Sequence, residues 1–221
     1  MHRFTKQFVE FCKNNLELSK TASYEYKSLP ICLIDCVYSL RAKYYSVTIP
    51  VVKRYADWAL DGAVNSANDS ITLFMHHIDE IGLQAFADSV VKNHQKLGGG
   101  SIPKELVCYN LAKYLHYLHI ETIEDFRNFE CPELLEIVIR AVPGIGDAGV
   151  NYLFMLTGDS DRCKPDVHIN HCIQDACGCT LNNDEIQTLF TDAVAVLRKD
   201  YPQLTVRMLD GIIWRKYSGN V

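Results

Sequence analysis

Along most of the chain, apolar residues return every third or fourth position. Leu106, Tyr109, Leu111, Leu115 and Leu118 make one such face, opened by Lys104 and Glu105 directly after Pro103, and proline is tolerated at a helix start because that amide has no partner there anyway. Ile71, Phe74, Met75, Ile78 and Leu83 make a second face, with Ser70 as its expected N-cap. Leu134, Leu135, Val138 and Ile139 follow Pro132 and Glu133, and Leu189, Phe190, Val194 and Leu197 give another face further on. Strand-like alternation is scarce, and the two hairpin-type dipeptides, Asp61-Gly62 and Asp210-Gly211, sit among helical residues. The pattern predicts an all-α protein of about ten helices. Gly98-Gly99-Gly100 reads as a loop between helices, and neither an internal repeat nor a low-complexity tract is present.

Composition narrows the class. With 48% hydrophobic and 22% charged residues in 221, the chain is ordinary globular material, which excludes disorder, collagen and coiled coil. Its longest apolar runs, such as Ile31-Cys32-Leu33-Ile34, fall far short of the roughly 20 residues of a membrane span. The first residues, Met1-His2-Arg3-Phe4-Thr5-Lys6, show no apolar signal core, so a cytoplasmic protein with no membrane partner is expected. Twenty-two basic residues against 27 acidic ones leave a net charge of −5. That argues against a broad electrostatic nucleic-acid binder, while leaving room for one that holds phosphates with backbone amides and a few local cations.

The nine cysteines are scattered, and in a cytosolic chain they read as reduced, packed thiols. The densest group is Cys163, Cys172, Cys177 and Cys179. Its gaps of nine, five and two residues match no zinc-ribbon or ferredoxin spacing, so no metal site is predicted.

The most informative segment is Pro143-Gly144-Ile145-Gly146-Asp147-Ala148-Gly149. It contains a literal G-x-G-x-x-G, with Asp166 twenty residues beyond Gly146, which raises a dinucleotide-binding turn. The context excludes it. Pro143 sits against the glycines where a strand needs an N–H donor, and Asp161-Arg162-Cys163-Lys164-Pro165 cannot be a buried strand. Two helices joined by a tight hairpin fit better: Leu134 to Val142, a turn from Pro143 to Gly146, and Asp147 to Thr157. The glycines allow positive φ and close approach of a partner, and the amides at the second helix's start make an anion site. A plain helical turn with glycine caps remains the alternative on this stretch alone.

Together, Val142-Pro143-Gly144-Ile145-Gly146, Asn151 and Lys164-Pro165-Asp166-Val167-His168-Ile169 resemble the helix-hairpin-helix/Gly-Pro-Asp superfamily of DNA glycosylases. Upstream, Leu33-Ile34-Asp35-Cys36-Val37-Tyr38-Ser39-Leu40-Arg41-Ala42 is similar to the early helix that, in the endonuclease III branch, ends in Ser-x-Gln-x and inserts a side chain into the duplex. Arg41 falls at that inserting position. The resemblance spans roughly residues 30 to 215. Three features depart from it: Ala148 stands where bifunctional members carry a Schiff-base lysine, the carboxyl-terminal iron–sulfur cysteine cluster is missing, and the net charge is acidic.

The resemblance implies two helical lobes with an interlobe cleft. Residues 30–157 would form a six-helix-type lobe ending in the hairpin, and residues 1–29 with 158–221 a second lobe. It also implies a monomeric, monofunctional enzyme of base excision repair that hydrolyses the N-glycosidic bond of a damaged, mismatched or modified base in duplex DNA. Asp166 would be its catalytic carboxylate. Gly144, Ile145, Gly146 and Ala148 would hold a phosphate through their amides, with Arg41 as the wedge and Lys164 as a nearby cation. A monovalent cation at the hairpin is the one inorganic partner implied. Asp166 also reads as the N-cap of a helix beginning near Val167, and Lys164 as a solvated loop lysine. His168, Cys163 and Cys172 read as structural. Of the early aromatics Tyr38, Tyr44, Tyr45, Tyr55 and Trp58, one or two at most would wall a base pocket, since aromatics at helical spacing are more often core. The other classes are a non-catalytic helix-hairpin-helix DNA-binding module and a protein-interaction scaffold.

Overall fold

Among the described residues, side-chain caps start five of the ten helices of nine or more residues. Ser70 Oγ accepts from the amide of Leu73, as the sequence predicts, and Ser28 and Thr205 do the same for Ile31 and Met208. Thr122 with Asp125, and Asn182 with Glu185, form reciprocal capping boxes. The computed structural model describes residues 1–19 and 25–219. In chain order its elements are α1 (Thr5–Asn15), α2 (Leu29–Ser39), a wide π-type turn (Tyr44–Thr48), α3 (Ile49–Ala59) and α4 (Ile71–Ile81). Next come the single turn α5 (Leu83–Ala85), a second π-type stretch (Phe86–Val91), and the short antiparallel pair β1 (Lys96–Leu97) and β2 (Ile102–Pro103). The rest is α6 (Lys104–Tyr117), α7 (Ile123–Arg127), α8 (Pro132–Arg140), α9 (Asp147–Leu156), α10 (Val167–Cys177), α11 (Asn183–Leu197) and α12 (Val206–Tyr217). The fold is all-α, with that two-strand ladder the one sheet among the described residues. Among the described residues no helix is long and apolar enough to cross a membrane.

Two local readings change. Asp61-Gly62 lies outside any helix, just past α3, with both residues left-handed (φ 49° and 78°), the mirror-turn conformation that Asp-Gly favours. Gly98-Gly99-Gly100, all at positive φ, turns the chain from β1 into β2.

The chain divides into two units, Glu25–Gly158 and Met1–Tyr24 with Asp159–Val221. In the second, α1, α10, α11 and α12 enclose Phe8, Ile173, Phe190 and Ile213, the rings of Phe8 and Phe190 lying 5.3 Å apart. Cys12, Cys172 and Cys177 pack in the same core. Burial raises all three thiols above their ordinary range, Cys172 to about 12 and Cys177 to about 11, so they stay protonated and behave as small apolar groups.

The first unit is organised around α2, every residue of which is buried. A helix without a solvent face must be covered on all sides, and α3, α6 and α9 pack against it. Its single charge, Asp35, is fully buried. Oδ2 accepts hydrogen bonds from the hydroxyls of Tyr26 (2.7 Å) and Tyr44 (2.8 Å), and Oδ1 from that of Tyr152 (2.9 Å). A carboxylate removed from water is tolerable only when its lone pairs are filled, and here three phenols fill them. They come from the segment before α2, the π-type turn after it, and α9. Burial, then the Asp35 carboxylate, holds the Tyr152 phenol well above its ordinary pKa. Replacing Asp35 with Ala would take away the acceptor that three hydroxyls share, one of them buried, and should cost about 3 kcal/mol or more. Tyr152→Phe removes one donor and should cost about 1.5 kcal/mol. Urea unfolding compares the two, and an Asp35→Ala loss no larger than that of Tyr152→Phe contradicts the assignment.

Candidate functional site

The hairpin between α8 and α9 is built from an alternation of buried side chains and exposed backbone. Val142 and Ile145 are buried in the core of their unit, while Pro143, Gly144 and Gly146 are exposed. The Ile145 amide donates to the Val142 carbonyl at 3.1 Å, closing a β-turn with Pro143 and Gly144 at its centre. Gly144 has φ +99°, and this turn, with proline first and a left-handed residue second, needs glycine there. A Cβ on Gly144 would also meet Leu97 Cβ at 3.2 Å. Gly149 is fixed by packing: its Cβ would lie 2.9 Å from Ile145 Cγ2, too close for any other residue while the turn lies against α9.

Gly146 is the N-cap of α9 and has no side chain with which to cap it. Open space surrounds the position where its Cβ would be. The first turn of the ten-residue α9 therefore presents uncapped amide donors and the positive end of the helix dipole to the outside. Ala148 is half-buried at the second position of that turn. Asp147 beside it pairs with Arg140 across the hairpin, so its negative charge is compensated. Among the described residues, the carbonyls of Ala141, Pro143 and Ile145 accept no backbone hydrogen bond. Such alternate oxygens are the donor type a monovalent cation takes, so the residues present fit the implied ion.

Arg41 lies two residues beyond the end of α2, exposed and left-handed at φ 53°. A non-glycine residue there is strained by roughly 1–2 kcal/mol. The loop is held by Lys104, a fully buried lysine whose Nζ donates to the carbonyls of Tyr38 (3.0 Å) and Leu40 (2.8 Å) and to Gln95 Oε1 (3.0 Å). An ammonium on the last carbonyls of α2 also opposes the negative end of its dipole. Of the early aromatics, Tyr38 and Tyr55 are core and Tyr44 is committed to Asp35. Tyr45 (52% exposed) and Trp58 (38%) keep open surface.

In the other unit, Asp166 caps α10, its Oδ1 accepting from the amides of His168 (2.9 Å) and Ile169 (3.1 Å). Its own amide donates to the Lys164 carbonyl at 2.7 Å, and its carbonyl accepts from the amide and the side chain of Asn170. Among the described residues Oδ2 has no partner, and the residue is half-buried. Lys164 is half-buried in the loop before it. His168 stacks edge-on against Trp214 with ring centres 6.1 Å apart, and its Nδ1 is buried without a hydrogen bond. Cys163 is buried, its thiol raised by desolvation. Among the described residues no group of three His, Cys, Asp or Glu side chains is placed to hold a metal ion.

Asp210 is a carboxylate that the sequence reading passed over. It is 6% exposed, on α12, and its Oδ2 accepts from the amide of Lys164 at 2.8 Å. Its signal was present: Val206, Asp210 and Ile213 form one stripe at helical spacing, and both flanking members are core. Burial pushes Asp210 up to about 7; the Lys164 amide opposes this, the Asp166 carboxylate adds to it, and Lys164 and Arg207 oppose it further. Since the folded value lies above the unfolded one, stability from this group is complete below about pH 4 and is lost as pH rises through 7. Asp210→Asn, which keeps an acceptor and never ionises, should therefore lose less stability between pH 4 and 8 than the natural chain. Thermal melts across that range would run parallel if this assignment were wrong.

The geometry defines an all-α protein with an open helical hairpin in one unit and a capped, half-buried aspartate in the other. The chain belongs to the family described as a domain of unknown function, DUF8548, whose model matches residues 6–218. None of the curated proteins matches it.

Proposed function

We propose that this protein is a monofunctional DNA glycosylase of base excision repair, acting on an extruded base in duplex DNA. The observation that supports this most is the bonding of Asp166. Its amide, carbonyl and Oδ1 are all engaged, which leaves Oδ2 as the one oxygen available to a substrate. A carboxylate fixed in this way costs no reorganisation when charge develops beside it.

In the proposed reaction the base is flipped out of the stack. The bond between C1′ and the base nitrogen breaks, its electron pair leaving with the base. Asp166 stabilises the cationic sugar and takes a proton from the water that attacks C1′, as carboxylates do in glycoside hydrolysis. The proton taken up by Asp166 is passed through solvent to the departed base, so the products are the neutral free base and an abasic sugar, with Asp166 ionised again. The amides of Gly144, Gly146 and Ala148 form the phosphate-binding stretch, where the open cap of α9 suits an anion; the Ile145 amide, expected to join them, is instead committed to the Val142 carbonyl. Arg41, exposed at a rigidly held loop, fills the gap in the stack, and Lys164 contacts phosphate. The carbonyls of Ala141, Pro143 and Ile145 would hold a monovalent cation, which supplies positive charge next to the phosphate. With Ala148 on the hairpin, no amine is available there for strand cleavage.

A second reading, a non-catalytic DNA-binding module, is favoured by the cap itself, because two amide bonds to Oδ1 are reason enough for an aspartate at 166. One experiment separates the two. Duplexes carrying a panel of base lesions are incubated with the protein and then treated with hot alkali. Strand breaks that appear only after alkali are expected. Asp166→Asn, which keeps the cap because asparagine caps equally well, should lower the rate at least about 100-fold with DNA affinity unchanged. DNA binding without any abasic product supports the module instead, and breaks without alkali contradict the monofunctional assignment.

A further inference from the structure

Asp166 is connected to α12 by a continuous set of hydrogen bonds. Asp210 Oδ2 accepts the Lys164 amide at 2.8 Å, the Lys164 carbonyl accepts the Asp166 amide at 2.7 Å, and Asp166 Oδ1 accepts two amides of α10. The bond from Asp166 to Lys164 closes a three-residue turn on Pro165, whose fixed φ suits that turn. Lys164 has therefore both of its backbone polar groups committed, one to α12 and one to Asp166. The same helix reaches the loop a second time, because the Arg207 amide donates to the Ser160 carbonyl at 3.0 Å. One turn beyond Asp210 along α12, Trp214 lies against His168. Gln187 of α11 closes the remaining side, bonding the Cys163 amide and the Asp161 carbonyl.

A buried aspartate is an expensive way to hold one amide. A neutral hydroxyl or amide side chain could accept the same bond at a lower desolvation cost. What the carboxyl adds is a strong acceptor on a rigid helix, aimed at the residue two before Asp166. Resting on the glycosylase reading above, we propose that Asp210 is a positioning residue for the Asp166 carboxylate, fixing the Lys164-Pro165-Asp166 turn so that Oδ2 meets the sugar of the extruded nucleotide. The charged and titratable groups around Asp210 are Lys164, Asp166 and Cys163 from the loop and Arg207 from its own helix. The raised pKa of Asp210 is consistent with a carboxyl held for its bonding rather than for surface charge.

The test uses the full chain, with two substitutions and two readouts. Asp210→Asn keeps an oxygen acceptor, and Asp210→Leu fills the space without one. Amide hydrogen exchange, which needs no substrate, should show Lys164 and Asp166 protected in the natural chain and in Asp210→Asn. In Asp210→Leu both should exchange at least about tenfold faster while the amides of α11 stay protected. In the alkali assay, kcat for base release should fall about 10- to 100-fold in Asp210→Leu, the scale of loss from slight misplacement of a reacting group. KM should stay unchanged, and Asp210→Asn should restore most of the rate. Unchanged exchange at Lys164 in a folded Asp210→Leu overturns the proposal, as does a loss confined to KM. If Asp210→Leu does not fold, the natural chain decides: Lys164 must then exchange as slowly as the α12 amides, and fast local exchange overturns the proposal. If no substrate releases a base, the glycosylase reading fails by itself. The exchange result would still decide whether Asp210 positions the turn.

Discussion

One buried carboxylate holds the larger unit together. Asp35 sits in a helix that is otherwise apolar and covered on every side, and three tyrosine hydroxyls from three separate segments meet on its two oxygens. Apolar packing alone would let α9 slide or rotate along α2 at little cost, because hydrophobic contact is not directional. A phenol bonded to a fixed carboxylate is directional, and leaving it unmade inside the core is costly. Tyr152 on α9 thereby sets the register of the helix whose amino end is the hairpin. Tyr44 sets the chain just after Arg41.

Lys104 complements this from the far end of α2. Its ammonium closes the last carbonyls of that helix, so the loop carrying Arg41 leaves the core at a defined point although Arg41 itself is exposed. In the smaller unit Asp210 plays a comparable part for Asp166. Both units place a buried acid on a core helix and let it specify an adjoining loop. This arrangement concentrates the proposed function on exposed backbone and one carboxylate oxygen, groups whose use does not depend on a basic net charge.

Much of the fold was legible because its causes are local. Ser70 caps α4 because a serine precedes an amphipathic run, and the Val142-Pro143-Gly144-Ile145-Gly146 turn has one comfortable geometry for that order of residues. Asp166 was legible as a cap. The supporting polar network was not. Asp35 and Asp210 each stand out as a lone acid on a buried stripe, but their partners are set by tertiary structure, Tyr152 lying 117 residues from Asp35 and Lys164 lying 46 from Asp210. Nor does anything in Ser39-Leu40-Arg41-Ala42 announce a left-handed arginine. Asp61-Gly62 was misread because the apolar residues around it keep helical spacing while the pair itself reverses the chain.

In the function proposed here, the hairpin held on Asp35 grips the DNA backbone. The most direct measurement of that grip is the affinity of the natural chain for a duplex containing an abasic-site analogue, followed from low to moderate salt. Two or three phosphate contacts predict that log K falls linearly with log salt with a slope of about −2 to −3. An affinity indifferent to salt, or no measurable binding at low salt, would contradict it.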